Sequence, residues 1–171
     1  MSIQVFTPGE LIELPFGLPG RIYRSPIPYG DLDTDGKLVS RYQEESIHVI
    51  VVLADDDEIL NTTGKNLRSY YRQAGIEVIH LPIPDYGIPN AANLEEAVSG
   101  ALGRARAGVN IVVHCKAGIG RTGLFLACMA QDALGITSDE AIRWVRSYIP
   151  GAVETPGQLS MARSYHGANS C

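Results

Sequence analysis

Ile47 to Leu53 (Ile-His-Val-Ile-Val-Val-Leu) is the run that most limits what this chain can fold into. Its apolar residues do not alternate with polar ones, so a strand here needs cover on both faces, as in a parallel sheet. Shorter strand candidates are Arg21–Ser25, Glu77–Leu81 and Asn110–Val113. Between them lie helical patterns at Lys37–Glu45 and at Asn61–Ala74, the latter stopped by Gly75 at a natural C′ position. Asn93–Ala107 repeats Leu94, Val98, Ala101, Leu102 and Ala105 at helical spacing. Leu124 to Ala130 reads as a buried helix, Thr137 to Tyr148 as an amphipathic one, and a last helix opens at Thr155-Pro156-Gly157-Gln158, a capping box with proline at its first position.

Strands alternating with helices predict an α/β fold: a central, mostly parallel sheet flanked by helices on both faces. With 171 residues, one domain spanning 1–171 is expected. Residues 1–20 carry Pro8, Gly9, Pro15, Gly17, Pro19 and Gly20, and read as an irregular N-terminal segment draped over that domain.

Composition removes several function classes. A formal net charge of −5 argues against a general nucleic-acid binder. Cys115, Cys128 and Cys171 form no evident disulfide framework, and no C-x-x-C metal pair occurs. Met1-Ser2-Ile3-Gln4-Val5 lacks the charged-then-apolar build of a signal peptide, and no apolar run is long enough to span a membrane. The expectation is a cytoplasmic protein whose thiols stay reduced.

Chemistry concentrates in Val112 to Gly123 (Val-Val-His-Cys-Lys-Ala-Gly-Ile-Gly-Arg-Thr-Gly). A cysteine stands where a strand ends, and an arginine follows six residues later where a helix begins. A helix N-terminus presents unpaired amides and the positive end of its dipole, which bind anions and favour a thiolate. Arg121 adds a planar fork matched to two phosphate oxygens. Gly118 and Gly120 allow positive φ and close backbone approach to a ligand. Gly118 to Gly123 also fits the dinucleotide-binding pattern G-x-G-x-x-G, which needs a second strand ending in an acidic residue about 20 positions on. Asp139 and Glu140 stand there inside a helix-start capping box, Thr137-Ser138-Asp139-Glu140, so that pattern lacks its context.

A thiolate that displaces an alkoxide or phenoxide from phosphorus needs a general acid on an element able to close over the substrate. Leu81 to Pro89 (Leu-Pro-Ile-Pro-Asp-Tyr-Gly-Ile-Pro) leaves a strand with Asp85 hemmed by prolines and Gly87 as a hinge. Ala54-Asp55-Asp56-Asp57-Glu58 reads as a solvated acidic loop, or else as a rim that selects basic flanks on a substrate.

With these pieces in place, His114 to Gly123 closely resembles the H-C-x5-R-[S/T] loop of cysteine-dependent protein phosphatases, and Ile83 to Pro89 looks like their mobile acid loop. The short chain is similar to the dual-specificity branch, most of all to the cyclin-dependent-kinase-associated, VHZ-like and mitotic-exit phosphatases. The resemblance implies that Cys115 is the nucleophile, forming a phosphocysteine, and that Arg121 holds phosphate oxygens with the amides of Lys116, Ala117, Gly118, Ile119 and Gly120. It implies Asp85 as general acid and then base, Thr122 as the hydroxyl that receives the thiolate, and His114 as a loop-ordering residue. Gln158 matches a water-orienting glutamine and Glu154 the companion position, although both also fit simple helix-start roles.

No metal or cofactor is required on that reading, because Arg121 and oriented amides supply the charge. The implied partner is a phosphoprotein or phosphopeptide bearing phosphotyrosine, with phosphoserine or phosphothreonine as further options; the oligomeric state stays open. Rival readings of the same site are a phosphoinositide phosphatase, an RNA 5′-phosphatase, or a phosphate-binding module without turnover. Ile119 stands where lipid phosphatases with a similar loop carry a second lysine. Lys116 reads either as a solvated loop residue or as a source of positive potential. Cys128 and Trp144 read as packing residues, and His48 and His80 as sheet residues.

Overall fold

The computed structural model describes residues 5–167. Five strands, β1 (Ile12–Leu14), β2 (Ile22–Ser25), β3 (Ile47–Val52), β4 (Glu77–His80) and β5 (Asn110–His114), form one sheet in the order β1-β2-β5-β3-β4. Only the β1–β2 pair is antiparallel; β2, β5, β3 and β4 run parallel. β5 is therefore central, with His114 in register with Ser25 on one side and Val52 on the other.

Alternation along these strands builds two cores. Ile22, Val49, Val51, Ile111 and Val113 face α4 (Ala91–Arg106), α5 (Gly120–Leu134), α6 (Ser138–Tyr148) and α7 (Pro156–Ser164). Tyr23, Ile50, Val52 and Val112 face α1 (Lys37–Glu44), α2 (Asp56–Thr63) and α3 (Leu67–Gln73). Gly120 to Ala130 of α5 are all buried, since this helix is packed by α4, α6 and α7 as well as by the sheet. A helix apolar all round is what such a central position demands.

Three sequence expectations change. The segment 1–20 is not wholly irregular. Ile12 and Leu14 are buried on either side of exposed Glu13, and this three-residue strand pairs with Ile22–Arg24. It is too short to stand out among the surrounding prolines and glycines. The helix expected over Asn61–Ala74 is two helices: Gly64 closes α2 at φ 69°, and Asn66 opens α3 by accepting the Ser69 N–H at 3.2 Å. The acidic run is not a solvated loop. Asp55 caps α2 by accepting the Glu58 N–H at 2.8 Å, and Asp56, Asp57 and Glu58 form its first turn, where carboxylates complement the helix dipole.

Candidate active site

β5 delivers His114 and Cys115 to the C-terminal edge of the sheet, and the loop turns into α5 without a side-chain cap. The first amides of α5 are thus left for a ligand. The loop stem is pinned on both sides: Leu53 N donates to His114 O at 3.0 Å, and Ile27 N donates to Lys116 O at 2.9 Å. Cys115 is 3% exposed, and its Sγ accepts from Gly118 N at 3.3 Å and from the Thr122 hydroxyl at 3.2 Å. Gly118 has φ 73°, and a Cβ there would collide with Arg24 and with the Ser25 carbonyl.

His114 is fully buried, and burial pushes its imidazole down to about 4, so the ring is neutral. Its Nδ1 lies 3.2 Å from Cys115 O, a pure acceptor, so Nδ1 carries the proton. Nε2 then accepts from the Tyr71 hydroxyl at 3.0 Å. Both ring nitrogens of this neutral imidazole are therefore engaged, one with the loop backbone and one with Tyr71.

Arg121 is 2% exposed and sits in the first turn of α5. Glu58 grips it from α2 with two 2.7 Å bonds, Nη1 to Oε2 and Nη2 to Oε1, and Ile83 O accepts from Nη1 at 2.9 Å. Burial alone would lower the guanidinium; the Glu58 hydrogen bonds and nearby negative groups outweigh it and hold the group above the ordinary arginine range. Of five N–H donors, two remain for a ligand: Nε–H and the Nη2–H that faces Asp85 Oδ1 at 3.2 Å.

The loop after β4 brings Asp85 to this point. Leu81 N and Ile83 N donate to Val52 O and Leu53 O, extending the sheet pairing up to the prolines. A tight turn, Gly87 N to Pro84 O at 2.7 Å, then presents Asp85 half-exposed. Tyr86 in that turn adopts φ 59°, an uncommon conformation for a bulky residue. Gln158 is fully buried. Its Oε1 accepts from Glu154 N at 2.8 Å and Thr155 N at 3.3 Å, and its Nε2 donates to Gly87 O at 3.2 Å. It therefore both completes the α7 capping box and ties that helix to the acid-bearing loop.

Cys115 and Arg121 line a cleft of about 240 Å³ together with Asp85, Tyr86 and Leu32. Lys116, Ala117, Asp31 and Glu154, all exposed, complete the lining with one basic and two acidic side chains. The sequence-predicted residues Cys115, Arg121, Asp85, Thr122, Lys116 to Gly120, His114, Glu154 and Gln158 thus converge on one place. Two residues that sequence reasoning missed converge there too: Glu58, from within the acidic run, and Arg24, whose side chain reaches the loop from β2. Among the described residues, no group of His, Cys, Asp or Glu is placed to hold a metal ion, and no helix is long and apolar enough to cross a membrane.

Comparison with known proteins identifies the family. The family described as "Polymorphic toxin system, DSP-PTPase phosphatase" matches residues 34–132. The dual specificity protein phosphatase CDC14B of Mus musculus is 29% identical over 126 residues, 71% of this chain and 25% of that protein. The chain covers only a small part of such relatives: it is 33% identical over 95 residues to protein tyrosine phosphatase domain-containing protein 1 of Bos taurus, 56% of this chain and 12% of that protein. Among solved structures, Tk-PTP in its active form is 30% identical with a TM-score of 0.70, covering 83% of this chain and 88% of that one. The kinase-associated phosphatase with its catalytic cysteine replaced by serine shares the fold at 24% identity, with a TM-score of 0.78 and coverage of 91% and 93%. The chain belongs to the DSP-PTPase family of cysteine-based dual-specificity and tyrosine phosphatases.

Proposed function

We propose that this chain hydrolyses phosphotyrosine, and phosphoserine or phosphothreonine where they reach the sulfur, on protein substrates through a phosphocysteine on Cys115. The observation that carries this reading is the convergence of one buried sulfur, two hydrogen-bond donors aimed at it, and a held guanidinium facing a carboxylate across a small cleft. Donors fixed in advance on developing charge are the largest single contribution in acyl- and phosphoryl-transfer sites.

In the first step the Cys115 thiolate attacks phosphorus. A P–S bond forms, the P–O bond to the leaving group breaks, and the leaving oxygen takes the proton of the Asp85 carboxylic acid. Arg121, through Nε–H and the outer Nη2–H, and the loop amides hold the three equatorial oxygens. In the second step water attacks phosphorus and passes a proton to the Asp85 carboxylate, and Cys115 leaves as a thiolate that accepts from Thr122 and Gly118. Asp85 must release Arg121 when phosphate arrives, so the resting ion pair stands in for the substrate contact. The carboxylates of Asp31 and Glu154 in the cleft lining support a protein segment with cationic flanks over a polyanionic lipid head or RNA end.

The test is hydrolysis of an aryl phosphate by the purified chain, inhibited by vanadate and lost in Cys115→Ser. Asp85→Asn should slow turnover by about 10²–10⁴-fold, and by less with an activated leaving group. No vanadate-sensitive hydrolysis, or full activity in Cys115→Ser, sinks the proposal. Phosphopeptides, inositol lipids and RNA 5′ ends assayed side by side decide the substrate class.

A further inference from the structure

Arg24 is wholly buried on β2, and each of its five N–H donors ends on a backbone carbonyl. Nε donates to Gly118 O at 3.0 Å, and Nη2 donates to Ala117 O at 2.8 Å and Gly118 O at 2.9 Å. Nη1 donates to Pro8 O at 2.9 Å and Glu10 O at 3.1 Å. The Phe6 ring covers the guanidinium with its centroid 5.2 Å from Cζ. Among the described residues no carboxylate pairs with it.

The geometry points to Arg24 as a second arginine of the site, a positioning residue that aims the phosphate-loop amides from behind and supplies a buried positive charge to the thiolate, locked in place by the Phe6–Glu10 strap. The first half follows from peptide geometry. In a trans unit, C=O and N–H point in opposite directions. Drawing Ala117 O onto Arg24 therefore turns Gly118 N–H toward the Cys115 sulfur, where it lies 3.3 Å away. Drawing Gly118 O the same way turns Ile119 N–H into the cradle. Gly118 has no Cβ because Arg24 occupies that space.

The second half follows from charge. A buried cation among neutral dipoles is costly unless an anion offsets it. Burial lowers Arg24 only to about 10, opposed first by the negative charge of Cys115, so the guanidinium stays charged at neutral pH directly behind the loop that carries the sulfur. The segment 6–10 seals the other side of Arg24 from water, which gives part of the N-terminal stretch a role in the site.

This inference rests on the Cys115 loop being an anion cradle, and its test reads that cradle without turnover. The full chain, Arg24→Met and Arg24→Lys are titrated with tungstate by calorimetry, and Cys115 alkylation by iodoacetamide is timed at mildly acidic pH. Arg24→Met should lose tungstate affinity by about tenfold or more, the size of one lost charge-assisted hydrogen bond, and alkylate more slowly. Arg24→Lys keeps the charge but cannot make five bonds, so it should restore much of the alkylation rate while affinity stays low. A purely structural role would move both readouts together with the melting temperature. If folded Arg24→Met binds tungstate within about twofold of wild type, the proposal is overturned. Should that variant not fold, the same result for Arg24→Lys overturns it. A chain that binds tungstate and alkylates as expected yet hydrolyses no phosphate ester refutes the phosphatase reading and leaves this one standing.

Discussion

Glu58→Gln is the change that best separates a working ion pair from an incidental one. The carboxylate makes two 2.7 Å bonds to a guanidinium whose side chain is 2% exposed, while Glu58 itself is 17% exposed. Breaking a buried pair by removing one partner costs about 3–5 kcal/mol. Three features reduce that figure: Glu58 is partly solvated, Gln keeps one acceptor, and Arg121 retains Ile83 O and Asp85. The expected loss is about 2–3 kcal/mol, which for a domain of this size lowers Tm by roughly 5–10 °C. The same change frees the fork that must meet phosphate, so kcat/KM should fall by about 10–100-fold, because a small misplacement of a positioning group is expensive in rate. Calorimetric melts and aryl-phosphate kinetics on the same preparations measure both. A Tm within about 1–2 °C of wild type together with kcat/KM within about twofold would refute the reasoning, since Glu58 would then be a spectator.

His114 is held at about 4 against an ordinary 6.5, so between those values the unfolded chain binds more protons and stability must fall as the solution is acidified. From pH 7 to pH 5 this one group should account for roughly 2 kcal/mol in urea melts, and His114→Gln should flatten that slope; equal slopes in the two proteins would refute it. Gln158→Ala removes the acceptor of the α7 capping box and the donor to Gly87 O, so it should cost about 1 kcal/mol, seen as a Tm loss of roughly 2–4 °C. Its kinetic effect should be larger for slow leaving groups, which depend on Asp85, than for activated ones; an equal loss for both would show that Gln158 does not steady the acid loop.

What the chain made legible was local. Cys115 and Arg121 lie six residues apart on one strand-loop-helix unit, and Asp85 is marked by the prolines around it. Capping boxes at Thr137 and Thr155 announced α6 and α7 before any packing was known. Glu58 and Arg24 were hidden because their partners are distant in sequence: 63 residues separate Glu58 from Arg121, and 94 separate Arg24 from Gly118. Nothing in Asp55 to Glu58 distinguishes a carboxylate bound inward from its neighbours until α2 assigns each one a direction. The break between α2 and α3 was visible only as Gly64 and Asn66, residues that apolar spacing alone overrides.

The strand order has a consequence for how the site breathes. β5 is hydrogen-bonded along both edges, whereas among the described residues β4 has a partner only on the β3 side. Amides of a strand held on both edges exchange with solvent through near-global opening, while an outermost strand frays at small cost. In a hydrogen-exchange experiment Val112 to His114 should therefore be among the slowest amides in the chain, and those of Asp85 and Tyr86, beyond the last pairing of Ile83 N with Leu53 O, among the faster ones. The Cys115 sulfur then rides on the part of the molecule that opens last and the Asp85 carboxylate on a part that opens early. Substrate entry can proceed by loosening the rim alone, with no relaxation of the cradle.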